Sequence, residues 1–108
     1  MERALFLAQR LTAMLLAPLV LVHLGLVLVA VRGGLTAAEI LGRTQGSAGW
    51  ALFYVVFVLA VSVHAPIGVR NVLREWTGMP RGTVDLIALV FGLVLLALGL
   101  RAVWAVIA

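Results

Sequence analysis

Three stretches of the chain run long enough to cross a lipid bilayer while holding almost no aspartate, glutamate, lysine or arginine. Leu11–Val31 and Trp50–Val69 hold none, and Leu86–Leu100 continues past Arg101 to Ala108. A helix needs about 20 apolar residues to span the hydrocarbon core. The runs are too long for strands and lack the strict alternation of a membrane β-barrel. The pattern therefore predicts an all-α integral membrane protein with three transmembrane helices. They are expected at about 10–32, 48–74 and 83–107, within one domain over residues 1–108. Arg101 can carry its charge outward on its aliphatic stem, and Trp104 suits the interface beside it.

The connections are short. The first, 32–49, opens on Arg32, Gly33 and Gly34 and contains LTAAEIL, a short interfacial helix begun by Thr36. The second, about 70–84, contains EWTGMPRGT, whose glycines and proline mark a turn. No removable signal peptide is expected, because the first apolar run is full length and no small-residue cleavage pattern follows it.

Composition sharpens this picture. The 108 residues are 65% hydrophobic and 11% charged, where a soluble domain carries roughly a quarter charged residues. Lipid is the expected solvent, and no polar stretch is long enough for a soluble catalytic domain. The absence of cysteine excludes disulfides, thiolate metal sites and iron–sulfur clusters within this chain. A net charge of +4, carried by arginine without any lysine, points to topology and anionic lipid, not to nucleic acid. Arg3, Arg10, Arg70, Arg74 and Arg81 fall on one side of the expected membrane, against Arg32, Arg43 and Arg101 on the other. That bias predicts a cytoplasmic N-terminus.

Ionisable residues inside a span are where chemistry is sought. There are two, His23 and His64. A neutral imidazole can ligate haem iron, move a proton, or hydrogen-bond a neighbouring helix. On a 3.6-residue period His64, Gly68, Asn71 and Glu75 fall on one stripe, with polarity increasing toward the helix end. Gly68 leaves space one turn from the imidazole, and Pro66 frees the carbonyl of Ser62, predicting a kink. A bundle-facing stripe with a small-residue contact explains Gly68 equally well, but gives His64 no reason. Thr12, Leu16, Leu19 and His23 share a face of the first helix. Arg10 stands at its edge, where lipid phosphate, a haem propionate or a quinone carbonyl are all suitable partners. The spacing does not set the two histidines at one depth, so whether one chain supplies two axial ligands stays open.

The segment SVHAPIGVRNVLREW resembles the haem-bearing helix of the membrane-anchor subunits of succinate dehydrogenase and fumarate reductase. One anchor type carries H-x-x-x-G-[IV]-R-H followed by an acidic–aromatic pair. His64, Gly68, Val69 and Arg70 match it, Asn71 stands at the second histidine, and Glu75 and Trp76 take the last two places. The opening QRLTAMLLAPLVL is similar to the family's first helix, with Arg10 and Thr12 at the arginine and the Thr/Ser position.

The resemblance implies one anchor in a multi-subunit helical bundle of a succinate:quinone oxidoreductase. Its partners would be a flavoprotein, an iron–sulfur subunit, and a second anchor or a second copy of itself. Its place would be the bacterial cytoplasmic (inner) membrane, in electron transport to quinone linked to the tricarboxylic acid cycle. The chain itself would be non-catalytic. By the same resemblance His64 is an axial ligand to haem b and its iron, with His23 an alternative haem contact. Arg10 and Arg70 would meet propionates or quinone, and Thr12, Glu75 and Trp76 would line the quinone site. Three other readings remain: a purely structural assembly factor, a haem-free anchor of such a complex, and a small homo-oligomeric transporter or channel subunit. Against the last, Glu75 and Asp85 lie near helix ends and no acidic residue lies mid-span.

Overall fold

The computed structural model describes residues 2–108, and these are almost entirely helical: α1 (Glu2–Gly33), α2 (Ala37–Thr44), α3 (Ala48–Trp76) and α4 (Arg81–Ile107). α1, α3 and α4 are the three helices long and apolar enough to cross a membrane. α1 starts earlier than the apolar run, because Ala4 to Ala8 continue the helix-favouring pattern and Glu2 lies in its first turn. At 32 residues it spans about 48 Å, more than the hydrocarbon thickness of about 30 Å. The molecule measures 48 × 24 × 23 Å.

α3 is the middle helix, packed on both α1 and α4. The stripe His64, Gly68, Asn71 and Glu75 faces α1, and Val58, Ser62 and Pro66 on the opposite side of the wheel face α4. Small residues bring α3 and α4 together. A β-carbon at Gly92 would meet the Pro66 ring at 2.9 Å and the carbonyl of Ser62 at 3.2 Å. The same addition at Gly99 would collide with Val58 at 2.6 Å. Gly92 thus makes room for the proline and for the carbonyl it leaves without a helical donor. The core is thin, consisting of Leu16, Ala60, Ile67, Val84 and Ala88, while long rows of leucine and valine face outward. That inversion suits a lipid or helical-partner surround.

Thr36 opens α2 with a full capping box, its hydroxyl accepting from the Glu39 amide at 3.2 Å while Glu39 returns to the Thr36 amide at 3.0 Å. The Thr36 hydroxyl, with the Thr36 amide after it, holds the Glu39 carboxyl below the usual carboxylate range. Gly34, at φ 124°, lies against that carboxylate, where any β-carbon would collide. The segment after α2 closes the end of α4. Thr44 Oγ1 donates to Val106 O at 2.7 Å, the Gly46 amide to Ile107 O at 2.8 Å, and Gln45 Nε2 to Ala108 O at 2.8 Å. These carbonyls have no partner within their own helix, so the connection serves as their cap. The α3–α4 turn is shorter than the second connection expected from sequence, since α3 runs to Trp76 and α4 starts at Arg81.

Candidate functional site

His64 lies on α3 where α1 crosses it. Its Nδ1 is 3.2 Å from Thr12 Oγ1 on α1, and Thr12 donates to the Ala8 carbonyl of its own helix at 2.7 Å. The other ring nitrogen, Nε2, makes no hydrogen bond among the described residues and is not closed off. His64 borders a depression of about 400 Å³ lined by Ala65, Gly68, Val69, Val72 and Leu73. Every lining residue belongs to α3, so one wall is present and the opposite one is open. Gly68 also serves the helix crossing, since Gln9 Nε2 of α1 would lie 3.4 Å from a β-carbon there.

His23 is placed elsewhere. Its ring meets Tyr54 edge-on at 6.2 Å and Phe57 at 5.2 Å, and its Nδ1 is buried without a hydrogen-bond partner. It lies eleven residues beyond Thr12, the contact of His64, which is about 16 Å along the helix. This separation sets His23 and His64 of the same chain at different depths.

Arg70 is buried, 7% exposed, and its guanidinium is paired with two carboxylates. Nε donates to Asp85 of α4 at 2.8 Å, and Nη2 to Glu2 of α1 at 2.7 Å. Arg74 also reaches Glu2 at 2.8 Å. Two arginines and two carboxylates thus join all three long helices with no net charge. The pairing of Arg70 with Asp85 had only part of a signal in the sequence: Asp85 is the lone aspartate and follows the tight turn 77–80, but Arg74 and Arg81 lie closer to that turn than Arg70. The reach of Glu2 depends on the unexpected first turns of α1.

The other sequence-nominated residues gather beside this network. Arg10 and Glu75 line a cleft of about 490 Å³ together with Glu2, Gln9 and Asn71. Arg10 makes no ion pair among the described residues, and Gln9 Oε1 is buried without a partner. Trp76 ends α3 and is 81% exposed. Thr12 lies outside this cleft, two residues from Arg10 and so on nearly the opposite side of α1, and its hydroxyl proton is directed to the Ala8 carbonyl. Gln9 is the residue of this cleft that sequence reasoning missed, since an amide at the edge of an apolar run reads as a solvated flank.

Residues 2–101 match the model of the succinate dehydrogenase/fumarate reductase transmembrane subunit family. The chain belongs to that family. It is a membrane-anchor subunit, multi-pass and integral, of a complex with other subunits. No curated protein and no solved structure matches it. Among the described residues of the anchor, no group of His, Cys, Asp and Glu side chains could hold a metal ion by itself. His64 fits a haem iron on the chemistry of its donor: an unbonded Nε2 beside an apolar depression floored by Ala65 and Gly68. Arg10 is the cation of the cleft without an ion pair among the described residues, whereas Arg70 is paired with two carboxylates.

Proposed function

We propose that this anchor carries haem b on His64 and passes electrons between an iron–sulfur subunit and quinone, within a succinate:quinone oxidoreductase of a bacterial cytoplasmic membrane. The observation that carries the reading is the His64 imidazole, held on one side by α1 and bare at Nε2 beside an apolar depression. Haem b, when bound, supplies a low-spin centre for one-electron transfer. His64 would be one axial ligand. The opposing ligand comes from a second anchor or a second copy of the chain, because His23 stands at another depth and the depression has only one wall.

Arg10 would neutralise a propionate or bind a quinone carbonyl, since Arg70 already has both Glu2 and Asp85. The Glu75 carboxylate, in the cleft with Arg10 and Asn71, can hold a proton destined for reduced quinone. The exposed Trp76 indole can donate to a quinone oxygen but does not supply a proton. Thr12, its hydroxyl proton directed to Ala8, offers quinone only an acceptor. The arginine bias supports a cytoplasmic side for the N-terminus, Glu75 and Trp76, where the iron–sulfur and flavoprotein subunits would dock.

The test is a dithionite-reduced minus oxidised spectrum of the purified assembly, with His64→Ala alongside. The expected result is a sharp low-spin b-type α-band that is lost in the variant while the chain remains inserted. A flat spectrum from the intact wild-type assembly would replace this reading by a haem-free anchor.

A further inference from the structure

We infer that Thr12 is a positioning residue for His64, fixing the imidazole proton on Nδ1 and leaving the Nε2 lone pair for a ligand in the depression; its consequence for haem rests on the function proposed above. A threonine hydroxyl has one proton. The Thr12 oxygen is 2.7 Å from the carbonyl of Ala8 and 3.1 Å from that of Gln9, while the His64 nitrogen is 3.2 Å away. The proton goes to the helix carbonyl one turn back, as is common for threonine within helices. The oxygen then turns a lone pair toward α3. The 3.2 Å approach is attractive only when Nδ1 brings the hydrogen.

The environment of the second ring nitrogen points the same way. In the opposite tautomer the hydrogen would sit on Nε2, which has no acceptor among the described residues, and the depression that His64 borders is lined by Ala65, Gly68, Val69, Val72 and Leu73, none with a side-chain acceptor. With the proton on Nδ1, the bare nitrogen is the one that has no partner. Thr12 therefore acts through His64: it selects the tautomer and sets the ring plane. As a hydrogen-bond acceptor from Nδ1–H it also makes the imidazole a stronger electron donor. Nothing else among the described residues hydrogen-bonds the ring, so this single contact between α1 and α3 carries the selection.

The test begins on the haem-free full chain in detergent, 15N-labelled at histidine, in a His23→Gln background that leaves His64 as the sole reporter. The ring-nitrogen shifts distinguish the two tautomers directly. The expected result is protonated Nδ1 with bare Nε2, a redistribution toward Nε2–H in Thr12→Val, and a return in Thr12→Ser. Protonated Nε2 in the chain with Thr12 intact, or a tautomer ratio indifferent to Thr12→Val, would overturn the assignment. The second readout is the haem reduction potential of the assembled complex. It should move positive in Thr12→Val, return in Thr12→Ser, and be accompanied by about a tenfold or greater loss of haem affinity in the valine variant. An unchanged potential would refute the electronic role. An assembly without haem would instead remove the proposed function while the nitrogen shifts still decided the role of Thr12.

Discussion

Arg70 shows how much one buried side chain can organise. Its guanidinium meets a carboxylate from each neighbouring helix, so no charge in the network lacks an opposite partner. Removing Asp85 by Asp85→Ala leaves Arg70 held by Glu2 alone. The expected cost is about 2 kcal/mol, in the range for a hydrogen bond to a charged group. It falls short of the cost for a fully buried pair because the Asp85 side chain is half exposed. Thermal unfolding in detergent measures it, and an unchanged midpoint would show the contact to be incidental. At this scale the sequence was only partly legible. The period-3.6 stripe of His64, Gly68, Asn71 and Glu75 does face a neighbouring helix. That the neighbour is α1, touching through Gln9 and Thr12, depends on the register between helices, which no repeat within one helix encodes.

That register is set by elements meeting at small residues. α3 and α4 come close together where Gly99 faces the stiff, branched Val58. Gly99→Ala is expected to destabilise the pair by about 1–3 kcal/mol through overpacking. Gly25→Ala, where nothing lies within 4 Å of the added carbon, should stay within about 1 kcal/mol of the original. Equal effects at both positions, compared by unfolding in detergent, would refute the close-approach argument. The short helix α2 gives a pH test. The Glu39 carboxyl is lowered in the fold, so its contribution is complete above the unfolded value of about 4.3. It disappears as pH falls through the lower folded value. Hydrogen exchange at the α2 amides should accelerate in that acid window, and Glu39→Gln should remove the pH dependence there. Three long helices were legible because length and apolarity suffice to announce a span. The early start of α1 was not, because Arg3, Gln9 and Arg10 read as flanks although the intervening residues favour helix.

Taken whole, the molecule is a row of helices with α3 between α1 and α4, and most of its apolar surface outside. One exposed face carries His64 and its depression; another side is drawn together by Arg70. The membership of the chain in its family was legible from barely two dozen residues, His64 to Trp76 and Arg10 to Thr12 chief among them. The separation of His23 from His64 was not, because it depends on how far α1 slides along α3.

The distribution of the Arg70 partners along the chain has a consequence for how the protein is made. Glu2 precedes Arg70 by 68 residues and Asp85 follows it by 15. As the polypeptide leaves the ribosome, α1 enters the bilayer first and waits for α3. Once α3 has joined it and until α4 follows, Glu2 is the one carboxylate of this network present for both Arg70 and Arg74, and the excess charge is relieved only when the last helix delivers Asp85. A chain cut short before Asp85 keeps that imbalance.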